Sequence, residues 1–521
     1  MKPRPDAERL GHAPADPLPH AWWERRAWLI AFALVAAVPL LYPPIPPLVD
    51  LLGHMGRYRV MLGLDTSPWL HDYYGFHWAA IGNLGVDLLV IPLAKLIGLE
   101  PAVKLIVLAI PPLTVAGFLW VAREVHGRVP PTALFALPFA YSHPVMFGFA
   151  NFALSVALAF LAFALWLHLG RIGRLRLRAI LFVPISLVVF FAHTFGWGML
   201  GLLCFSAEAV RQHDHGRGWF RSGVNAALHA LVMGLPIFIT ILWRSEAHGG
   251  MTAGWFDWHF KWTYLKQVLR DRWQWFDIAS AAVVGIVIVG AAVVRRLTFS
   301  RNLLFTALVL LVCFLILPRT VFGSTYADMR LLPYVLATAV LAIRFRGETY
   351  LPLARALAVA GLAFYLVRLG GTTASLAIAA DDQTRELAAL SHVPMGARVA
   401  WITDEGECGH GWALPRDSHL GAMVIVRRDG FSNDQWVIAG LNLLDLKYRQ
   451  AGPFAADPSQ ITRPGWCRGR GGWPVNVALS RVPRAAFDYL WLIDPPPFDP
   501  ALVAGLQPVW RDGRSVLYRL H

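Results

Sequence analysis

Three residues near the start of the chain have the chemistry to move a proton beside an anion. In the run Leu48-Val49-Asp50-Leu51-Leu52-Gly53-His54-Met55-Gly56-Arg57-Tyr58-Arg59, Asp50, His54 and Arg57 stand at i, i+4 and i+7. A helix would bring this carboxylate, imidazole and guanidinium onto one face. Such a set can take a proton from a hydroxyl and hold a phosphate. The same pattern fits an amphipathic interfacial helix with a salt-bridged polar face, its Leu51, Leu52, Met55 and Leu62 turned towards lipid or protein.

Other polar residues add to this picture. Asp65, His71, Asp72 and His77 follow, among Trp69, Tyr73, Tyr74, Phe76 and Trp78. These aromatics suit a membrane-interface belt, and stacking on a sugar ring is the sharper alternative. His143, Asn151 and His193 lie at the ends of apolar runs. There a histidine is commonly structural, and the spacing of His54, His143 and His193 gives no specific support for a metal site. The segment 244–277 holds Trp255, Trp258, Trp262, Trp273 and Trp275 with Lys261, Lys266, Arg270 and Arg272. It reads as a surface anchor, helical from about Trp262, or as a lid whose cations meet a phosphate. In 319–330, Arg319, Asp328 and Arg330 precede another apolar run. An arginine there is costly unless partnered, so Arg330 is a candidate for binding an anion. Asp328 is close enough in sequence to be its structural partner instead.

These residues must be positioned by a chain of 521 residues that is 56% hydrophobic, 15% charged and carries a net charge of +14. Soluble domains are roughly 25% charged. Here the apolar residues fall in runs of roughly 15–20, the length that spans a bilayer core of about 30 Å. Disorder, collagen and disulfide scaffolds are excluded. Nucleic acid is excluded as a partner because the basic residues sit in short connectors between apolar runs. The chain reads as a polytopic membrane protein.

Spans are expected near 28–41, 101–122, 131–149, 150–169, 179–195, 196–210, 223–243, 278–294, 302–318, 331–346 and 351–371. The run Pro43-Pro44-Ile45-Pro46-Pro47 follows the first of them where a signal peptide would have a small-residue cleavage site, so that span reads as uncleaved. The connectors Arg171/Arg174/Arg176/Arg178, Arg211/Arg217/Arg221, Arg295/Arg296/Arg301 and Arg344/Arg346 should be cytoplasmic, as should the tail 1–26. All fall on one side if 78–98, with Asp87 and Lys95, does not cross. The expected fold is therefore an all-α membrane domain over 27–371, with about 11 transmembrane helices plus interfacial helices, and a C-terminal α/β domain over 372–521 on the outer side. In that domain 398–403, 422–426, 489–493 and 515–520 read as strands. Cys408 and Cys467 can pair there if the domain faces an oxidising compartment, and the sequence leaves open whether they do; His419 reads as a surface residue. Residues 381–521 hold 15 basic and 15 acidic residues, so the positive charge belongs to the membrane domain and marks its cytoplasmic side.

The layout resembles the glycosyltransferase C superfamily, polytopic enzymes that use polyprenyl-phosphate-linked sugars. The resemblance rests on Asp50 opening the first outer loop, the short connector Val125-His126-Gly127-Arg128, the segment Arg330-Leu331-Leu332-Pro333 after a late outer loop, and a soluble domain after the last span. It implies that Asp50 is the catalytic carboxylate and Arg330 the arginine near the donor phosphate. His54, Arg57, Asp72, His143, His193, Arg319 and Asp328 are further candidates for contacting substrate or phosphate. It implies a bacterial inner-membrane protein with a periplasmic C-terminal domain. Its partners would be membrane lipids, a polyprenyl-phosphate-linked sugar, and a lipid, glycan or protein acceptor. A divalent cation as cofactor is left open. Asp50 is followed by leucines where many members carry a second carboxylate, and Asn151 is the nearest polar residue to the one expected in the next outer loop. The remaining readings are a transporter of lipid-linked glycan and an inactive subunit for envelope polysaccharide assembly.

Overall fold

The computed structural model describes residues 21–244, 251–404, 408, 411–438, 442–468 and 472–521; the tail up to residue 20 and residues 245–250 of the tryptophan-rich loop lie outside them. Among the described residues, five helices are long and apolar enough to cross a membrane: Leu99–His126, Ala150–Arg171, Leu175–Ala192, Gln274–Val293 and Leu351–His392. The pair Trp219–Met233 and Leu235–Leu242, bent by 63°, would make a sixth, and Arg26–Leu40, Arg301–Ile316 and Leu332–Leu341 are shorter apolar helices.

Two segments show how local chemistry redirects an apolar run. The expected span at 131–149 is instead a 3-10 helix, Pro131–Tyr141, buried along its whole length, followed by the single turn His143–Met146. Pro131 and Pro138 have no N–H to donate, and a proline inside an α-helix would clash with the preceding turn. Irregular backbone of this kind is tolerated where protein, not lipid, surrounds it. The segment 78–98 forms a helix only from Gly85 to Ile97. Thirteen residues reach about 20 Å, short of the bilayer core. Gly98, at φ +86°, then turns the chain into the 28-residue helix Leu99–His126.

The last long helix, Leu351–Leu387, runs past residue 371 and carries the chain into a seven-stranded sheet. Its strands in chain order are β1 (Arg398–Asp404), β2 (Phe431–Ser432), β3 (Ile461–Arg463), β4 (Trp473–Pro474), β5 (Tyr489–Ile493), β6 (Gln507–Asp512) and β7 (Ser515–Arg519). The spatial order is β6-β7-β5-β1-β3-β4, with β2 also paired to β1. β1 runs parallel to β2, β3 and β5, while β6 and β7 form an antiparallel edge. Central parallel strands are buried on both faces and read as continuous apolar runs, as Tyr489–Ile493 does. The expected strand at 422–426 is corrected: Ala422–Arg428 is a helix. A short apolar run does not distinguish strand from helix by periodicity, and here it packs against the Leu51–Gly63 helix of the first loop. Cys408 and Cys467 form a disulfide.

The first loop joins the two parts. Tyr74–Phe76 pairs antiparallel with Leu444–Leu446, and Arg59 binds Asp429 through two bonds of 2.7 and 2.8 Å. Leu51, Leu52, Met55 and Tyr58 are buried in protein. The helix that carries Asp50, His54 and Arg57 is thus clamped between domains and does not lie on lipid.

Candidate active site

A cavity of about 510 Å³ opens between the membrane helices and the C-terminal domain. Asp50, His54, Arg57, His193 and Arg330 all line it, as do Asn151 and Trp436. The three-residue face expected from the 50–57 spacing therefore points into one space, and Arg330 arrives there from a loop 280 positions later.

Asp50 stands at the N-terminus of the Leu51–Gly63 helix. Its N–H donates to the Phe147 carbonyl at 2.9 Å. The neighbouring Gly148 makes this approach feasible: it sits at φ +93°, and a Cβ there would lie 2.6 Å from the Asp50 nitrogen. The Asp50 carboxylate does not cap its own helix, and 19% of the side chain stays exposed. Burial, opposed by His419 and Arg330 and assisted by Asp457 and Asp434, raises its pKa to about 7. A carboxylate with this pKa is a competent base near neutral pH.

Arg330 is only 8% exposed. It donates to the Ser324 hydroxyl at 3.1 Å and lies over the Phe149 ring at 4.2 Å, while its Nε has no partner. Among the described residues no carboxylate approaches it within 4 Å. Burial pulls its pKa down to about 10, against the attraction of Asp50, so the guanidinium stays charged at neutral pH.

The other candidates have different surroundings. Arg57 is buried against Asp87 at 2.9 Å, so its charge is already met. Asn151 binds the same carboxylate at 3.0 Å and accepts from the Val86 N–H at 2.6 Å. It anchors the 78–98 segment and does not stand in for a second acid. His193 accepts the Phe195 N–H on Nδ1 at 3.0 Å, which caps the following helix. The His54 ring packs edge-on against Trp436, with centroids 5.2 Å apart.

Four expected residues do not reach the cavity. Asp72 is 75% exposed, beside His71. His143 is buried near Phe147 and donates its backbone N–H to Val268. Arg319 lays its guanidinium on the Phe260 ring at 3.5 Å. Asp328 does not pair with Arg330: it binds Lys261, 3.1 Å away and also buried. That pair removes Lys261 as a phosphate ligand, and Arg270 is likewise occupied by the carbonyls of Gly411 and Trp412. The tryptophan-rich segment thus spends these two cations inside the protein.

Sequence reasoning missed the contribution of the C-terminal domain. His419 is not on the surface. It is 7% exposed, with Nδ1 3.2 Å from Asp434 and Nε2 3.8 Å from Asp50. Asp434 follows β2, where ligands gather at the carboxyl ends of parallel strands, and Asp457 also lines the cavity. Asn433 fixes that exit by bonding both the N–H and the C=O of Trp401. The Gln435 side chain reaches the Gly53 carbonyl at 3.0 Å. A Cβ on Gly53 would lie 2.5 Å from Trp436, so glycine is what lets helix and loop meet.

Among the described residues no group of three or more His, Cys, Asp or Glu is arranged to hold a metal ion.

No protein-family model and no curated protein matches the chain. Among solved structures it is similar to ArnT from Cupriavidus metallidurans bound to undecaprenyl phosphate, with 12% identity and a TM-score of 0.47 over 95% of this chain and 98% of that one. It is similar to the same protein in the apo state, with 14% identity, a TM-score of 0.47 and the same coverage. At this level of likeness the function has to be argued from the cavity itself.

Proposed function

We propose that the chain is a membrane glycosyltransferase that moves a sugar from a polyprenyl phosphate to an acceptor hydroxyl, with inversion. The observation that carries this reading is a single cavity lined by a carboxylate whose pKa is near neutral, Asp50, and by a buried cation, Arg330, that no carboxylate among the described residues approaches within 4 Å. Its volume suits a ligand of phosphosugar size.

Asp50 takes the proton of the acceptor hydroxyl. The oxygen attacks the anomeric carbon on the face opposite the phosphate. The bond from that carbon to the phosphate oxygen breaks with its electron pair moving onto the phosphate, whose added charge Arg330 neutralises. A lipid phosphate is a workable leaving group, so one base and one cation suffice once both substrates are held in place. No step is routed through a metal ion. Lipid-linked donors reach such a site from the bilayer. A multi-pass arrangement with the C-terminal domain in the periplasm is supported by the arginine connectors and by the Cys408–Cys467 disulfide, which belongs in an oxidising compartment.

The test is transfer of radiolabelled sugar from a polyprenyl-phosphate donor in membranes containing the full chain. Transfer is expected with the wild type and absent with Asp50→Asn at equal membrane abundance. Undiminished transfer by Asp50→Asn would remove the base from the proposal.

A further inference from the structure

We infer that His419 is a positioning residue through which the C-terminal domain holds Asp50 in its ionised form. This rests on the reading of Asp50 as the base and adds a residue from outside the membrane domain to the site.

The geometry supporting it is a row of three groups. His419 sits between Asp50 and Asp434, with one ring nitrogen turned to each, at 3.8 and 3.2 Å. The ring is fixed by Trp436, centroids 4.9 Å apart, and that tryptophan rests on Gly53 in the Asp50 helix. The backbone before His419 is held from several directions. Arg416 binds the Pro47 carbonyl and Asp271, Leu414 donates to the Asp271 carbonyl, and Gln383 donates to the Arg416 carbonyl. The first loop, the tryptophan-rich loop and the last membrane helix therefore all converge on the segment that presents His419.

The surrounding charges set the sign. Asp434, Asp50 and Asp457 face His419 from the C-terminal domain and the first helix, and together they outweigh burial, raising its pKa to about 9. His54 faces it from the Asp50 helix and is itself driven neutral by burial, Arg57 and His419. Near neutral pH an imidazolium therefore stands next to a carboxylate whose protonation burial, Asp457 and Asp434 favour, and His419 opposes them more strongly than Arg330, the other cation facing Asp50. At 3.8 Å it is too long for a direct hydrogen bond, which leaves the Asp50 oxygen free to accept from a substrate hydroxyl.

The test titrates Asp50 without substrate. Full-length protein in detergent is treated with a water-soluble carbodiimide and an amine over a range of pH, and coupling at Asp50 is mapped by mass spectrometry; the protonated carboxyl is the reactive form. The wild-type midpoint is expected near pH 7. In His419→Gln and His419→Asn, which keep a polar group without the charge, it should rise by about one pH unit. In His419→Lys, which restores the charge, it should return towards the wild-type value. Where transfer is measured, the acid limb of kcat/KM should move with the midpoint while the alkaline rate is kept. A midpoint unmoved in the uncharged variants, or a loss of rate that is uniform at every pH, overturns the inference. A midpoint that moves in a protein transferring no sugar upholds it and defeats the glycosyl-transfer reading instead.

Discussion

Two charged groups border the same cavity and obey opposite rules. On one wall, Arg57, Asp87 and Asn151 form a closed, charge-paired cluster in which the guanidinium and the carboxylate meet at 2.9 Å and the Asn151 amide and Arg57 both donate to Asp87 Oδ2. In the same cavity, and among the described residues, Asp50 meets no opposite charge closer than His419 at 3.8 Å, and Arg330 meets no carboxylate within 4 Å. One keeps part of its side chain exposed, and the other, among the described residues, meets a serine hydroxyl and two phenyl rings. A buried ion pair in direct contact fixes a fold, whereas Asp50 and Arg330, held at longer range from opposite charges, keep bonding capacity that the described residues do not fill. The difference separates scaffold from site more sharply than residue type does, since both clusters contain an arginine and an aspartate.

The comparison predicts opposite outcomes for activity and stability. Asp50→Asn should reduce transfer by at least about a thousandfold, the upper part of the range for a lost general base. It should not destabilise the fold. Because the folded pKa of Asp50 is raised above its unfolded value, the folded state binds the proton more tightly, and stability falls as pH rises from about 4 to 7. Asp50→Asn should therefore raise Tm at pH 8 relative to wild type and leave it unchanged at pH 4; a lowered Tm at pH 8 would place Asp50 in the scaffold. Arg330→Gln should cost about 10²–10³ in kcat/KM, as loss of a transition-state charge stabiliser does, with Tm maintained.

The closed cluster should respond the other way. Asp87→Asn leaves Arg57 buried without its counter-charge and should destabilise by about 3–5 kcal/mol, seen as loss of monodisperse protein or a large fall in Tm. The double replacement of Arg57 and Asp87 by apolar residues should recover much of that. If Asp87→Asn folds normally and only activity is lost, the scaffold assignment is wrong. The smallest effect expected is from Gly53→Ala, whose methyl would press on Trp436 and reach 3.2 Å from His419. Overpacking of this kind costs about 1–3 kcal/mol, and kcat/KM should fall by about tenfold as His419 is displaced, measured beside Tm.

What could be read from the sequence followed from local periodicity. Asp50, His54 and Arg57 share a face because helical spacing dictates it, and the arginine connectors marked the ends of the apolar runs. Arg330 was conspicuous because an arginine beside an apolar run needs a reason. Pairings over long separations were not readable. Arg57 could as well have served a phosphate until Asp87 was seen against it, and Asp328 stood two residues from Arg330 yet binds Lys261, 67 positions away. The helix Ala422–Arg428 was hidden for a related reason, since a short apolar run takes its form from what it packs against.

By itself, then, the sequence determined that this chain lives in a membrane, which residues share its first polar helix face, and where its positive charge lies, because composition and periodicity act over a few residues. Only the tertiary structure decided which charges are spent on one another and which line the cavity without a close partner among the described residues. It also decided that His419 and Asp434 complete the Asp50 site from more than 360 positions away, because electrostatic pairing depends on distances in space that spacing along the chain does not encode.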